Sequence, residues 1–252
     1  MGIPMLPVIP MPSQLPNASA ATADFEFAAL NEARNYREAL IKEFGPALRG
    51  DVIEIGAGIG QITGLLRQLP QVSRLLSIEP EAAFAARFRA AHPKSELVEG
   101  TIEHVPAGAQ WDGILSINVL EHIDDDETEL AACAKLLSAR RGVLCLFVPA
   151  RPEIYAPIDK DFGHFRRYTR PELRQKLKAA GFAVERLSYF NCVGYFAWWF
   201  NFCLLKKRGF EVTKVRAFDR LIFPVVHALE SSVIRPPFGQ SLLAIARASP
   251  AS

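Results

Sequence analysis

Apolar residues return along this chain with two different periods. Short aliphatic runs lie at 52–55, 74–78, 96–99, within 111–117 and at 142–148. Between them, at 61–69, 81–91 and 126–137, apolar residues recur every three or four places. The first kind predicts buried strands and the second amphipathic helices. Their alternation predicts an α/β fold with a parallel sheet covered on both faces. Pro149 stops the fifth strand. A helix at 24–44 precedes the first strand, with Phe27, Leu30, Tyr36, Leu40 and Ile41 at near-helical spacing.

The rhythm changes after Pro149. Residues 150–170 read as a loop rich in charge and aromatics. Pro171 opens a helix that Gly181 closes, and 182–190 read as a strand. Residues 191–238 read as a long apolar, largely helical insertion. SLLAIARAS, from Ser241, reads as a closing strand that lies antiparallel at the sheet edge. The expected organisation is a coil arm at 1–23 and one domain at 24–252, with a lid helix at 24–44 and an apolar cap at 191–238.

Composition narrows the partners. Half of the 252 residues are hydrophobic, and the formal net charge is +2 with no long basic run. Nucleic acid is therefore not an expected partner. Cys133, Cys145, Cys192 and Cys203 show no tight paired spacing, which argues against a zinc site or a disulfide framework and for a cytoplasmic setting. The opening MGIPMLPVIPMPSQLPNASA lacks a basic region and has too many prolines for a signal peptide. LSYFNCVGYFAWWFNFCLL, at 187–205, carries no charge and approaches the length of a membrane span. Asn191, Asn201 and the strand at its front favour a pocket-lining or interface-lying helix instead.

The first strand runs into DVIEIGAGIGQIT at 51–63. Gly56, Gly58 and Gly60, with Ala57 between the first two, permit a tight turn and close approach of a ligand. The dinucleotide fingerprint fails at its sixth place, where Gln61 stands, and no Gly-Lys-Ser or Gly-Lys-Thr phosphate loop is present. Glu54, just before the turn, suits a cofactor bearing an ammonium group, or else caps local backbone amides. Glu79, after the second strand, suits both hydroxyls of a ribose. Two carboxylates and a glycine turn describe an amino-acid-bearing nucleoside, and S-adenosyl-L-methionine has that chemistry.

On these residues the chain resembles the class I S-adenosylmethionine-dependent methyltransferases, over roughly 50–190 with the final strand consistent. The resemblance implies a Rossmann-like, seven-stranded sheet of order 3-2-1-4-5-7-6 with an antiparallel seventh strand. It implies that residues 56–60 wrap the methionine moiety and that Glu79, followed by Pro80, holds the ribose. Thr101 and Ile102 then fall beside the adenine, where family members usually carry an acid. In SINVLEHIDDD, from Ser116, the resemblance puts Asn118 and Val119 near the methionine end of the cofactor.

Methyl transfer needs an in-line nucleophile and excluded water, and a hydroxyl or amine acceptor also needs a base. His164, in DKDFGHFRRYTRPEL, is the first candidate base, and His122, beside Glu121, the second. His92 and His104 read as exposed and His227 as a packing residue. In a ubiquinone-type subgroup a comparable Glu-His pair lies close to a divalent metal or the acceptor. Here Asp124, Asp125 and Asp126 read as a helix cap, and no metal is expected. The segment at 163–168 resembles a Gly-His-x-Arg-Arg-Tyr segment of a subset of bacterial methyltransferases. Arg166, Arg167 and Tyr168 are therefore acceptor candidates, one arginine pairing with an acid and the other suiting a carboxylate or phosphate. A surface ion-pair cluster is the alternative. Tyr36 and Arg37 of the lid helix and Asn191, Tyr195 and Trp199 of the cap complete the candidate set. The surplus of aromatics at 189–202 implies a large apolar pocket, a homodimer interface or peripheral membrane contact.

The expected activity is methyl transfer from S-adenosylmethionine to a small hydrophobic or aromatic acceptor, preferably on oxygen. Two alternatives stand beside it. One is a lipid or quinone-precursor methyltransferase at the membrane surface. The other is a scaffold that binds the cofactor without turnover.

Overall fold

The computed structural model describes residues 31–106, 108–209, 211–232 and 236–250. The expected arm at 1–23 and the first turns of the lid helix lie outside them. Seven strands form one sheet: β1 (Gly50–Ile55), β2 (Val72–Glu79), β3 (Glu96–Glu99), β4 (Gly113–Ile117), β5 (Val143–Pro149), β6 (Phe182–Phe190) and β7 (Ser241–Ala248). Their order is β3-β2-β1-β4-β5-β7-β6. The first five pair in parallel, and β7 runs antiparallel to both β5 and β6. This is the sheet that the resemblance implied.

The helices are α1 (Arg34–Phe44), α2 (Thr63–Leu66), α3 (Ala82–Ala91), α4 (Asp126–Ser138), α5 (Pro157–Asp161), α6 (Arg170–Ala179), α7 (Cys192–Trp198), α8 (Val212–Ala217) and α9 (Phe223–Ser232). The two-residue strand period divides the core. Ile53 and Ile114 face one way and pack with Leu130, Leu137 and Leu173 of α4 and α6. Val52 and Leu115 face the other way and pack with Leu40 and Phe44 of α1. Cys133 and Cys145 are buried thiols.

Three expectations change. The helix at 61–69 is α-helical for one turn only; Leu65, Gln68 and Leu69 donate to carbonyls three residues back, the tighter 3₁₀ pattern, and Pro70 follows. Ala33 has φ −92° and ψ 56°, so α1 begins at Arg34 rather than continuing from upstream. The loop at 150–170 contains a 3₁₀ turn at Pro152–Ile154 and then α5. Within the cap, α7 continues as a π-helical segment, Trp199–Leu204, and a second π segment, Phe218–Ile222, joins α8 to α9. Trp198 and Phe202 pack on Ile154, Ile158 and Phe162, fastening the cap to that loop.

Candidate active site

The glycine turn closes the carboxyl end of β1. Gly56, Gly58 and Gly60 all have positive φ, at 70°, 56° and 89°. A side chain on Gly56 would strike Val119, and one on Gly60 would strike His92. The glycines are thus required twice, by conformation and by close approach. His92, expected to be exposed, is half-buried against this turn and against Phe88.

Two acids brace the turn. Glu79, buried at the end of β2, accepts from Gly58 N–H at 2.7 Å and from Glu81 N–H at 2.9 Å. Burial raises its pKa against these bonds. Each carboxylate oxygen keeps a second lone pair, which suits a diol donor. Glu54 is buried beneath the turn, where its Oε2 accepts from Thr63 Oγ1 at 2.6 Å and Ser77 Oγ at 3.0 Å. Burial pushes its pKa up to about 7 despite these hydroxyls. A carboxyl so placed gains from a nearby cation, as an ammonium group would supply. The turn, its narrow approach and these two acids fit an amino-acid-bearing nucleoside such as S-adenosylmethionine.

The next walls come from β3 and β4. Thr101 is exposed, and the His104 ring accepts from its N–H at 3.1 Å; Ile102 is buried in the core. Pro80 is exposed beside Glu79. Asn118, at φ 52°, donates its N–H to Phe147 O at 2.9 Å. Val119 leans on Gly56, while Asn118 lines a cavity on the other side. The residue after β4 therefore links the glycine turn to that cavity.

The cavity has a volume of about 550 Å³ and lies between the sheet edge and the cap. Tyr36, Asn118, Glu121, His164, Arg167 and Asn191 contribute to its wall, with Trp198, Phe202, Phe218 and Phe223 among its apolar residues. Here two separate connections meet. The rings of His122 and His164 lie 4.7 Å apart, edge to face. His164 Nδ1 is 3.0 Å from Asp159 Oδ1, and its Nε2 is 4.0 Å from Glu121 Oε1. Asp159 is fully buried and also pairs with Arg167 at 2.8 Å. Burial raises the Asp159 pKa, but bonds from His164 and Arg167 outweigh it and hold the carboxyl below its ordinary value. The ionised carboxylate accepts a hydrogen bond from His164 Nδ1–H, and that tautomer leaves the lone pair on Nε2.

His122 is a weak base. Burial, then the neighbouring His164, push its pKa down to about 3, although the carbonyls of Gly163 and Phe162 oppose the fall. Glu121, His122 and His164 each offer one ligand atom, all within 4.8 Å of one another, and this set could also hold a metal ion. Asp159 is the residue that sequence reasoning passed over; Glu121 entered it only as the neighbour of His122 in a Glu-His pair. The only sequence signal for Asp159 is its place at the head of the polar stretch that contains His164.

Other candidates fall elsewhere. Arg166 pairs with Asp126 at 2.9 Å and donates to Asp124 O, so both arginines serve acids. Arg167 nevertheless lines the cavity, stacked 4.4 Å over Trp198. Tyr168 is buried in the core, its hydroxyl donating to Asp126 at 2.9 Å, and does not line the cavity. Asn191 lines it, but its Oδ1 caps α7 by accepting from Gly194 N–H, and its Nδ2 donates to Gln240. Arg37 donates to Gln61 O, toward the glycine turn rather than the cavity. Tyr195 packs with Phe196 and Phe238, and Trp199 is exposed; neither lines the cavity. Asp125 caps α4 through Thr128 N–H, as expected, and His227 stacks on Phe223.

Comparison with known proteins agrees with this architecture. The family described as methyltransferase domain matches residues 28–187. No curated protein matches the chain. Among solved structures, a chain from the complex of the Haloferax volcanii Trm112 methyltransferase activator with a candidate methyltransferase superposes with TM-score 0.60 at 16% identity, covering 91% of this chain and 96% of that one. A candidate sarcosine dimethylglycine methyltransferase from Galdieria sulphuraria gives 0.60 at 15% identity, with 91% and 98% covered. A SAM-dependent methyltransferase from Archaeoglobus fulgidus gives 0.55 at 17%, with 90% and 97% covered. At such identities these structures share the fold.

Proposed function

We propose how this chain works from one premise: it belongs to the methyltransferase domain family and is an S-adenosylmethionine-dependent methyltransferase. Its acceptor is a small hydrophobic or aromatic molecule, methylated on oxygen in the cytoplasm. The supporting observation is the presence of Asn118, Glu121 and His164 in the wall of one largely apolar cavity. Asn118 adjoins Val119, which packs on the glycine turn, so a guest in that cavity lies beside the cofactor.

S-adenosylmethionine supplies a methyl group already bonded to a good leaving group. The protein's own work is placement and proton removal. Glu79 and Pro80 hold the ribose, residues 56–60 and Glu54 hold the amino-acid end, and Thr101 and Ile102 flank the base. Asn118 and Val119 border both ligands and leave the acceptor oxygen open to the methyl group. The cap and α1 exclude water, with Tyr36 packed edge-on against Phe147 and Phe190. His164 Nε2 takes the proton of the acceptor hydroxyl. The imidazolium so formed is stabilised by Asp159 behind it and faces the Glu121 carboxylate. His122 is too weakly basic for this role at neutral pH and acts by fixing the His164 ring. The segment at 163–168 is then a device for presenting one histidine, with its arginines and tyrosine anchoring it to Asp126 and Asp159.

The test is His164→Ala with a panel of hydroxylated aromatic and aliphatic acceptors. Turnover should fall by about 10²-fold or more, while calorimetric affinity for S-adenosylmethionine is unchanged. Near-normal turnover across pH would remove His164 from the role. Tight cofactor binding by the wild type with no methylated product across the panel would favour the scaffold alternative.

A further inference from the structure

The cap helices are apolar on the wrong side. An amphipathic helix on a water-exposed surface carries its charges outward. Along α7 and its π continuation, Trp198 and Phe202 face inward and are buried, yet Phe196 (55% exposed), Trp199, Phe200 and Leu204 (55%) face out, followed by exposed Leu205. Along the second π segment and α9, Asp219 and Phe223 are buried, yet Leu221 (74% exposed), Ile222, Val225 (61%) and Leu229 face out. Both outer sets recur at three- and four-residue spacing, so each is a stripe and not a scatter. Exposed apolar residues gathered into stripes, unlike singly scattered ones, mark an interaction face.

The cavity runs between these two helices. Ala197, Asn201, Leu221 and Ile222 line it, and Leu221 and Ile222 are also part of the outward stripe. The mouth of the cavity therefore lies in the apolar face itself.

Charge decides among occupants. Residues 199–232 carry six cations, Lys206, Lys207, Arg208, Lys214, Arg216 and Arg220, against three acids, Glu211, Asp219 and Glu230. Asp219 is turned inward, where it accepts the N–H groups of Asn35 and Tyr36 and caps α1. Arg208 and Arg216 also pair with Asp161 and Glu32 outside the segment, and the six cations still outnumber all five acids. Two copies of such a face would repel each other, whereas anionic lipid headgroups complement it. Among the described residues no helix is long and apolar enough to cross a membrane, so the helices lie along the interface rather than through it.

We propose that the cap docks on an anionic lipid bilayer, with α7 and α9 embedded side by side, and that the acceptor enters the cavity from the lipid between them. This deepens the acceptor assigned above to one dissolved in, or attached to, the membrane. Docking itself is read without turnover, so its failure and the failure of methyl transfer are separable.

The experiment is co-sedimentation of the full chain with phosphatidylcholine vesicles containing or lacking 30% phosphatidylglycerol. The double variant Phe200→Asp/Val225→Asp is run beside the wild type; neither residue lines the cavity. The wild type should pellet with the anionic vesicles, at least tenfold more weakly with neutral vesicles or in high salt. The variant should lose at least tenfold while its calorimetric affinity for S-adenosylmethionine is retained. A variant that fails to bind cofactor is replaced by Leu229→Ser, read in the same way. Wild type that remains in the supernatant with both vesicle types overturns the proposal. So does equal binding to both, or a wild-type dimer in light scattering that the variant abolishes, which would give the face to a second copy.

Discussion

Replacing Glu54 by glutamine tests the most unusual ionisable group beneath the cofactor turn. The ordinary glutamate value is 4.5, and burial moves it to about 7 in the folded chain. Between those values the folded protein holds a proton that the unfolded chain has released. Stability from this group is therefore full below pH 4.5 and is lost as pH rises through 7. A shift of this size corresponds to about 3 kcal/mol. Glutamine keeps an oxygen for the Thr63 and Ser77 hydroxyls that Glu54 now accepts, but it cannot ionise. Urea unfolding of both proteins without cofactor at pH 5 and pH 8 cancels the titration of every other group. The variant should gain about 2.5 kcal/mol on the wild type between those pH values. If the two stability curves run parallel, the buried-carboxylate argument is wrong. The functional half follows from the same charge. An ammonium group above Glu54 favours the ionised form, so S-adenosylmethionine should bind the wild type more tightly as pH rises across this window, by up to about 10²-fold. The variant should lack that dependence, and an identical dependence in both would detach Glu54 from the cofactor.

Three further outcomes are expected. Glu79→Ala should weaken calorimetric binding of S-adenosylmethionine by about 1–3 kcal/mol through lost charged hydrogen bonds; unchanged affinity would move the ribose elsewhere. Asp159→Asn should destabilise the fold by about 3–5 kcal/mol, because Arg167 is buried with it. The Asp159 pKa is held below its ordinary 3.8, so its stabilisation is present above that value and lost as pH falls through the folded-state value; the gap between wild type and variant in acid unfolding should close in that direction. Zinc presented to Glu121, His122 and His164 should occupy Nε2 and inhibit, whereas a chelator should leave turnover intact. Turnover lost to the chelator and restored by a divalent ion would make the cluster a metal site and remove His164 as the base.

The positions of the strands and the conformation of the glycine turn were legible because they are local. Alternating aliphatic runs can bury both faces only in a covered parallel sheet, and glycines at 56, 58 and 60 adopt the positive φ that their lack of a side chain permits. The length of the helix after the turn was not legible, because tightening to 3₁₀ bonding ahead of Pro70 leaves no mark in the hydrophobic period. The sheet order came from the resemblance carried by the turn, not from the period of the strands.

Tertiary structure alone decided what those elements bring together. Arg167 and Tyr168 stand beside His164 in sequence, yet one stacks on Trp198 in the cavity wall and the other disappears into the core. Glu121 meets His164 across two different connections, and Asp219 caps α1 from 184 positions away. The cap shows the same division. Its composition announced excess apolar surface, but which residues turn outward depends on how α7 and α9 seat against the loop and α1. Hydrophobic period records whether a side chain can be buried; the packing partner, however far away in sequence, decides whether it is.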